Sequence, residues 1–303
     1  MSQYFSLFFD NLFPILLAAA IGFAVAKWLK VNSRPLSQVI FYVFSPVLVF
    51  KLITASQLSN QDILRTLVFT VLLIVTVGLL TWLLGKVLRF DRKTLAAVMI
   101  TAMFMNAGNY GLPLTSFAFG AAALAFASVF FVINAVATNT VGIVIASSGS
   151  TSVWNAIKGL VKFPAIYALA LGVLFLQFKW QLPSGVDRTV TLLSNAAIPS
   201  MLVLLGMQLV NIRLDGRILP LILTSSMRLL IAPLLAFGLT RLFGMSGPSY
   251  QAVILEAAMP AAVMTTILAT EFDAEPTFVT TAVLITTLLS PLTLTPLLAF
   301  LGA

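Results

Sequence analysis

The 303-residue chain contains no cysteine and no histidine. Without cysteine there is no disulfide framework and no thiolate chemistry. Without histidine the commonest general base and the commonest transition-metal ligand are gone. Charge is scarce too: 9% of residues are Asp, Glu, Lys or Arg, against about 25% in a soluble domain. No GxxxxGK[ST] pattern is present to cradle phosphates, which excludes ATP hydrolysis by this chain. There is no HExxH and no Cys/His cluster, so neither a metal nor another cofactor is expected. Asp10, Asp62, Asp91, Asp187, Asp215 and Asp273 fall at or near the ends of apolar runs, so no buried aspartate pair suggests a protease. An enzyme is not expected.

What the chain has is apolar surface. Hydrophobic residues make up 60% of it, and its mean hydropathy is +1.08. So few charges cannot cover a water-facing surface, so the lipid bilayer is its expected surroundings. The net charge of +8 would suggest nucleic acid in a soluble protein. Here the cations lie mostly at the ends of apolar runs, which is a topology signal and not a nucleic-acid surface. A span needs about 20 mainly apolar residues. Ten candidates fit: roughly 11–30, 37–54, 64–88, 94–118, 121–147, 159–178, 187–210, 217–243, 249–270 and 276–301. Residues Met1 to Asp10 carry no basic segment, so the first span is expected to be retained and not cleaved as a signal peptide.

The cations also set an expected orientation. Lys27, Lys30, Arg34, Lys86, Arg89, Arg92, Lys93, Lys158, Lys162, Arg213 and Arg217 fall on one side of this ten-span layout. Lys51, Arg65, Lys179, Arg188 and Arg241 fall on the other. The richer side is expected in the cytoplasm. A multi-pass protein of the plasma membrane with both termini outside the cytoplasm follows.

The spans divide five and five at a Ser/Gly/Thr-rich joint from Ser147 to Asn155. The expected organisation is a first repeat at 1–147, a short cytoplasmic linker at 148–158 and a second repeat at 159–303. Prolines echo between the halves. Pro14 matches Pro164, Pro46 matches Pro199, and Pro113 matches Pro260, at offsets of 150, 153 and 147 residues. An odd number of spans per half makes the repeats run in opposite directions, with a site expected where they meet. Proline is also common in membrane helices generally.

The stretch Asn106-Ala-Gly-Asn109-Tyr-Gly111-Leu-Pro113-Leu interrupts the fourth span. Two glycines, a proline and two amides cannot cheaply continue a regular helix. A broken backbone survives in hydrocarbon only inside protein or along a watery cavity. The second half has its counterpart at Glu256 to Ala262, poorer in glycine and expected to kink or unwind. Aligning Pro113 with Pro260 sets Asn109 opposite Glu256. Half-helices starting at the two prolines would point positive ends at one spot and favour a small anion. Asn106 and Asn109 would add donors, or only cap the exposed backbone. Arg228 lies mid-span, where a charge costs roughly 2.5–3.5 kcal/mol on insertion scales. An ion pair with Glu256 is the plain expectation; contact with an anion, or a switch of partners during transport, is the functional one. Glu256 is also the one buried carboxylate placed to take up a coupling proton. Asn134, Thr138, Asn139 and Thr140 form a polar face on the fifth span. Gly78, Gly142 and Gly206 read as packing residues. Glu271, Asp273 and Glu275 read as a solvated turn.

The Asn106–Leu114 motif, the five-plus-five layout, the Met259-Pro260 break and the Arg228…Pro233 pair together resemble the auxin efflux carrier family over essentially the whole chain. The short joint resembles its compact prokaryotic branch. The resemblance implies a fold similar to the bile-acid sodium symporter group. Spans one, two, six and seven would form a scaffold, often a homodimer contact. Spans three to five and eight to ten would form an elevator-like transport unit. It implies substrate contacts at Asn106, Asn109, Gly111, Pro113, Asn134 and Pro260, with Ser45 from the scaffold side, and leaves Asn139 open. Small organic anions, such as a mono- or dicarboxylate or an auxin-like acid, are the expected cargo. An uncoupled anion channel is the alternative; saturable flux with counter-transport separates the two.

Overall fold

The computed structural model describes residues 2–147, 163–210 and 215–303. The expected linker at 148–158 lies outside the described residues. In chain order the helices are α1 (Gln3–Trp28), α2 (Ser33–Thr54), α3 (Asn60–Val87), α4 (Arg92–Met103), α5 (Ala107–Ala146), α6 (Pro164–Phe178), α7 (Ser184–Gln208), α8 (Ile218–Leu242), α9 (Gly247–Ala257), α10 (Met264–Glu271) and α11 (Pro276–Leu301). Seven of them, α1, α2, α3, α5, α7, α8 and α11, are long and apolar enough to cross a membrane. No strand occurs among the described residues. The chain is therefore an all-helical, multi-pass membrane protein. Large apolar side chains such as Leu79, Leu192, Leu234 and Leu292 stand exposed on its outer face, as lipid contact requires.

Four prolines inside these helices follow wide π-helical turns, whereas Pro199 of α7 and Pro291 and Pro296 of α11 do not. Such turns at Phe8–Leu12, Ile40–Phe44, Ala107–Gly111 and Met227–Ile231 precede Pro14, Pro46, Pro113 and Pro233. In each, the residue just before the proline donates its N–H to the carbonyl five residues back: Phe13 to Phe8, Ser45 to Ile40, Leu112 to Ala107, Ala232 to Met227. Proline has no N–H and its ring crowds the carbonyl four back. One wider turn relieves both problems without ending the helix. Nothing in the structure explains the fifth such turn, Thr138–Gly142, which no proline follows.

This moves the first break. The glycines and Pro113 do not unwind the backbone; Ala107 to Gly111 is helical. The non-helical residues are Phe104, Met105 and Asn106. The second break, Ala258 to Val263, is a full interruption. Accordingly the helices beyond the breaks start at Ala107 and Met264, not at the prolines. Gly120, with φ 70° and ψ −164°, bends α5 into arms 107–119 and 121–146. This left-handed φ is available to glycine at little cost.

Two groups of helices pack closely. α1 lies against α7, and α2 against α6 and α7. At the first contact a Cβ on Gly22 would sit 2.0 Å from the Val203 carbonyl oxygen, and one on Gly206 would sit 1.7 Å from that of Ala19. Glycine is required there because two backbones nearly touch. α5 packs on α3 and α9. Gly78 faces the Met103 side chain and Gly142 the Phe104 ring.

Polar links gather at the helix ends. At one end Lys93 pairs with Asp273. Arg217 binds Asp215 and Glu275, both at 2.7 Å, and donates to Thr94 at 3.2 Å. The turn expected to be merely solvated thus ties the start of α11 to the starts of α4 and α8. Elsewhere Lys51 pairs with Asp187 at 2.7 Å, and Gln177 donates to Asn60 at 2.9 Å.

Candidate solute site at the helix crossing

The two breaks touch. Met105 and Ala261 form an isolated antiparallel bridge. The Asn106 N–H donates to the Pro260 carbonyl at 2.8 Å, and the Ala262 N–H to the Phe104 carbonyl at 3.0 Å. Unpaired backbone groups are costly in a membrane interior, and their partners can be followed one by one. The Met105 carbonyl accepts from Asn134 Nδ2 at 2.9 Å. The Ala261 N–H donates to Thr286 Oγ1 at 3.2 Å. Arg228 serves the helix ends leading into the breaks: Nη1 donates to Ala102 O at 2.7 Å and Met103 O at 3.3 Å, Nη2 to Ala257 O at 2.6 Å. A cation at helix C-termini meets their negative dipole ends.

The expected Arg228–Glu256 ion pair is therefore corrected. Arg228 is fully buried, and its bonds go to carbonyls. Glu256, also fully buried, accepts from Thr115 Oγ1 at 3.2 Å through Oε1. Its Oε2 has no hydrogen-bond partner. Instead Oε2 lies against Gly111, where a Cβ would approach to 2.1 Å.

Beside the crossing lies a cavity of ≈ 140 Å³. One wall comes from the crossing elements: Met105, Asn106, Gly108 and Asn109, then Phe131, Asn134, Ala135, Thr138 and Asn139, then Ala262, Val263, Met264 and Ile267. The opposite wall comes from α2, α7 and the residue before α6: Ser37, Ile40, Phe41, Ser45, Phe163, Met201, Leu204 and Gln208. Among the described residues, no lysine, arginine or carboxylate lines it. Positive potential comes instead from the first turns of α5 and α10, which both border the cavity.

Among the residues expected to bind solute, Ser45, Asn106, Asn109 and Asn134 line this cavity. Gly111, Pro113 and Pro260 do not. Gly111 makes room for Glu256, Pro113 sits in the first turn after the wide turn, and Pro260 supplies a carbonyl to the bridge. Glu256 and Arg228 also stand outside the lining. The asparagines do not cap the helix: no side chain caps the turn at Ala107. Asn106 Nδ2 and Asn134 Oδ1 are buried without partners, one donor and one acceptor at the cavity. Asn109 Nδ2 donates to Gln208 Oε1 across it at 3.4 Å. Gln208, Ser37 and Phe163 escaped the sequence reading. A glutamine near the end of an apolar span carries no local mark, and only α7 packing beside the crossing brings it to Asn109.

A largely apolar cavity with converging amides, where two interrupted helices cross inside an all-helical membrane protein, is the anatomy of a solute transporter and not of an enzyme. A family model described as membrane transport protein matches residues 7–298. The chain belongs to that family, the auxin efflux carrier family. It is 28% identical over 288 residues to an "uncharacterized transporter" of Methanothermobacter thermautotrophicus, covering 93% of this chain and 94% of the relative. It is 26% identical over 266 residues to another from Methanocaldococcus jannaschii, covering 86% of each.

Proposed function

We propose that this protein is a secondary transporter of small organic anions, mono- or dicarboxylates or auxin-like acids, working by an elevator movement. The observation that carries this is the cavity bordered by the first turns of α5 and α10 and by the amides Asn106, Asn109 and Asn134. Two positive helix ends converge there, and among the described residues no carboxylate in the lining competes with them, which favours an anion. Its two walls support the elevator. One consists of the crossing elements, the other of α2 and α7 with Phe163, so a bound solute would sit between the moving unit and the scaffold.

The layout supports ten spans in two inverted repeats. α5 divides at Gly120, and α4 and α9 each join the helix beyond their break. Gly22 of α1 abuts Val203 of α7, while Gly172 of α6 abuts Ile53 and the Phe50 carbonyl of α2. The proline offsets map Gly22 onto Gly172 and Phe50 onto Val203, so the two contacts are counterparts. The cation-rich end, holding Lys93 and Arg217, is assigned to the cytoplasm of a plasma-membrane protein with outside termini. A homodimer through α1, α2, α6 and α7 fits the same scheme.

The test is thermal stabilisation of purified protein across malate, malonate, phenylacetate and indole-3-acetate, with and without sodium, repeated on Asn109→Ala. A ligand of the native state raises the melting temperature by mass action. A shift for one acid class that vanishes in the variant supports the site. Shifts for neutral or cationic solutes only would refute the anion reading.

A further inference from the structure

Among the described residues Arg228 is the largest fully buried side chain, yet it pairs with no carboxylate among them. Its three bonds go to Ala102, Met103 and Ala257, the last carbonyls of α4 and α9. Four helix ends meet at the crossing: the negative ends of α4 and α9, the positive ends of α5 and α10. Each end carries roughly half a charge, so unaided the four would cancel. Arg228 adds one positive charge directly on the two negative ends. What remains toward the cavity is about one positive charge from the two N-terminal turns. Met105 and Ala262, which line the cavity, lie within two and five residues of the carbonyls that Arg228 holds. Screening inside protein is weak at such range. Any negative charge on Glu256, which accepts from Thr115 and makes no hydrogen bond to Arg228, would subtract from this sum.

We propose that Arg228 determines the charge of the solute the cavity accepts, acting through the two helix ends it caps and without touching the solute. It is a specificity-determining residue in a positioning role. The proposal rests on the anion-transporter reading and extends it: among the described residues no cation lines the cavity, and Arg228 is the cation bonded to the helix ends that lead into it.

The experiment measures affinities for phenylacetate and its neutral amide, phenylacetamide, on wild type, R228K, R228Q and R228M. Wild type is expected to prefer the carboxylate. R228M weakens phenylacetate by about tenfold or more and leaves phenylacetamide within about twofold. R228K retains the preference, because the charge is kept. R228Q, which keeps N–H donors for the carbonyls but not the charge, behaves as R228M and carries the test if R228M does not fold. Equal weakening of both probes, or unchanged discrimination in R228Q and R228M, makes Arg228 a brace only and overturns the proposal. Wild type indifferent to the probe's charge overturns the anion reading, and the proposal falls with it.

Discussion

Gly111 and the Glu256 carboxyl are packed so closely that a Cβ on Gly111 would stand 2.1 Å from Oε2. The glycine of the family-like motif serves the buried acid of the second half, not the solute cavity. Gly111→Ala should therefore force a fully buried side chain aside. Overpacking of this kind costs roughly 1–3 kcal/mol. Glu256→Ala in the same chain should recover part of the loss. Melting temperatures of the two single variants and the double variant give the coupling directly; simple additivity would contradict the contact.

Glu256→Gln bears on coupling. Glu256 is the acid enclosed at the crossing, with Thr115 as its one hydrogen-bond donor. Gly111 lies against its Oε2, and Arg228 bonds the carbonyl of Ala257, the next residue of α9. If Glu256 carries the coupling proton, uptake into liposomes by E256Q becomes insensitive to external pH while wild type responds. An unchanged pH dependence removes Glu256 from coupling.

The α1–α7 contact gives a graded prediction. Gly206→Ala and Gly22→Ala each drive a methyl into a facing carbonyl and should lower the melting temperature markedly. Gly238→Ala, where a Cβ meets nothing within 4 Å, should be neutral or stabilising by up to about 1 kcal/mol through helix propensity. Equal effects at the three positions would contradict the close backbone approach.

Asp215 sits at a membrane-surface end beside Arg217. The side-chain hydrogen bonds from Arg217 hold its carboxyl below the ordinary value of 3.8. A lowered folded value means the stabilisation is complete above 3.8 and is lost as pH falls through the folded value. Stability at pH 5–7 should thus be flat with respect to this group. Asp215→Asn should lower stability across that range and flatten the acid limb of an unfolding titration; an unaltered acid limb would count against the pairing.

Legibility differed from feature to feature, for physical reasons. Asn106, Asn109 and Asn134 stood out because amides in an apolar run need a purpose, and all three border the cavity. The break near Asn106 was visible for the same reason but displaced by a few residues. The sequence marks which residues dislike a regular helix; whether a proline breaks it or is absorbed by a wider turn depends on available neighbours. At Pro113 the wider turn suffices. At Phe104–Asn106 the second break supplies the bonding partners that let the backbone leave the helix.

Arg228 illustrates the same division. Its rarity in an apolar span announces that something must compensate the charge, and Glu256 was the obvious partner. The choice between a carboxylate and helix-end carbonyls depends on which of them reaches the guanidinium, a matter of three-dimensional approach between segments far apart in the chain.

By itself, then, the sequence determined the solvent of the protein, its helical make-up, the places where spans are interrupted and the residues too polar to face lipid. These follow from composition and local chemistry, because transfer free energies and backbone preferences act residue by residue. Tertiary structure alone decided that the two interruptions pair with one another, that Arg228 caps the helices leading into them, that Gly111 yields space to Glu256, and that Gln208 closes on Asn109. Those are contacts between distant segments, and only the packing of the helices brings their atoms within reach.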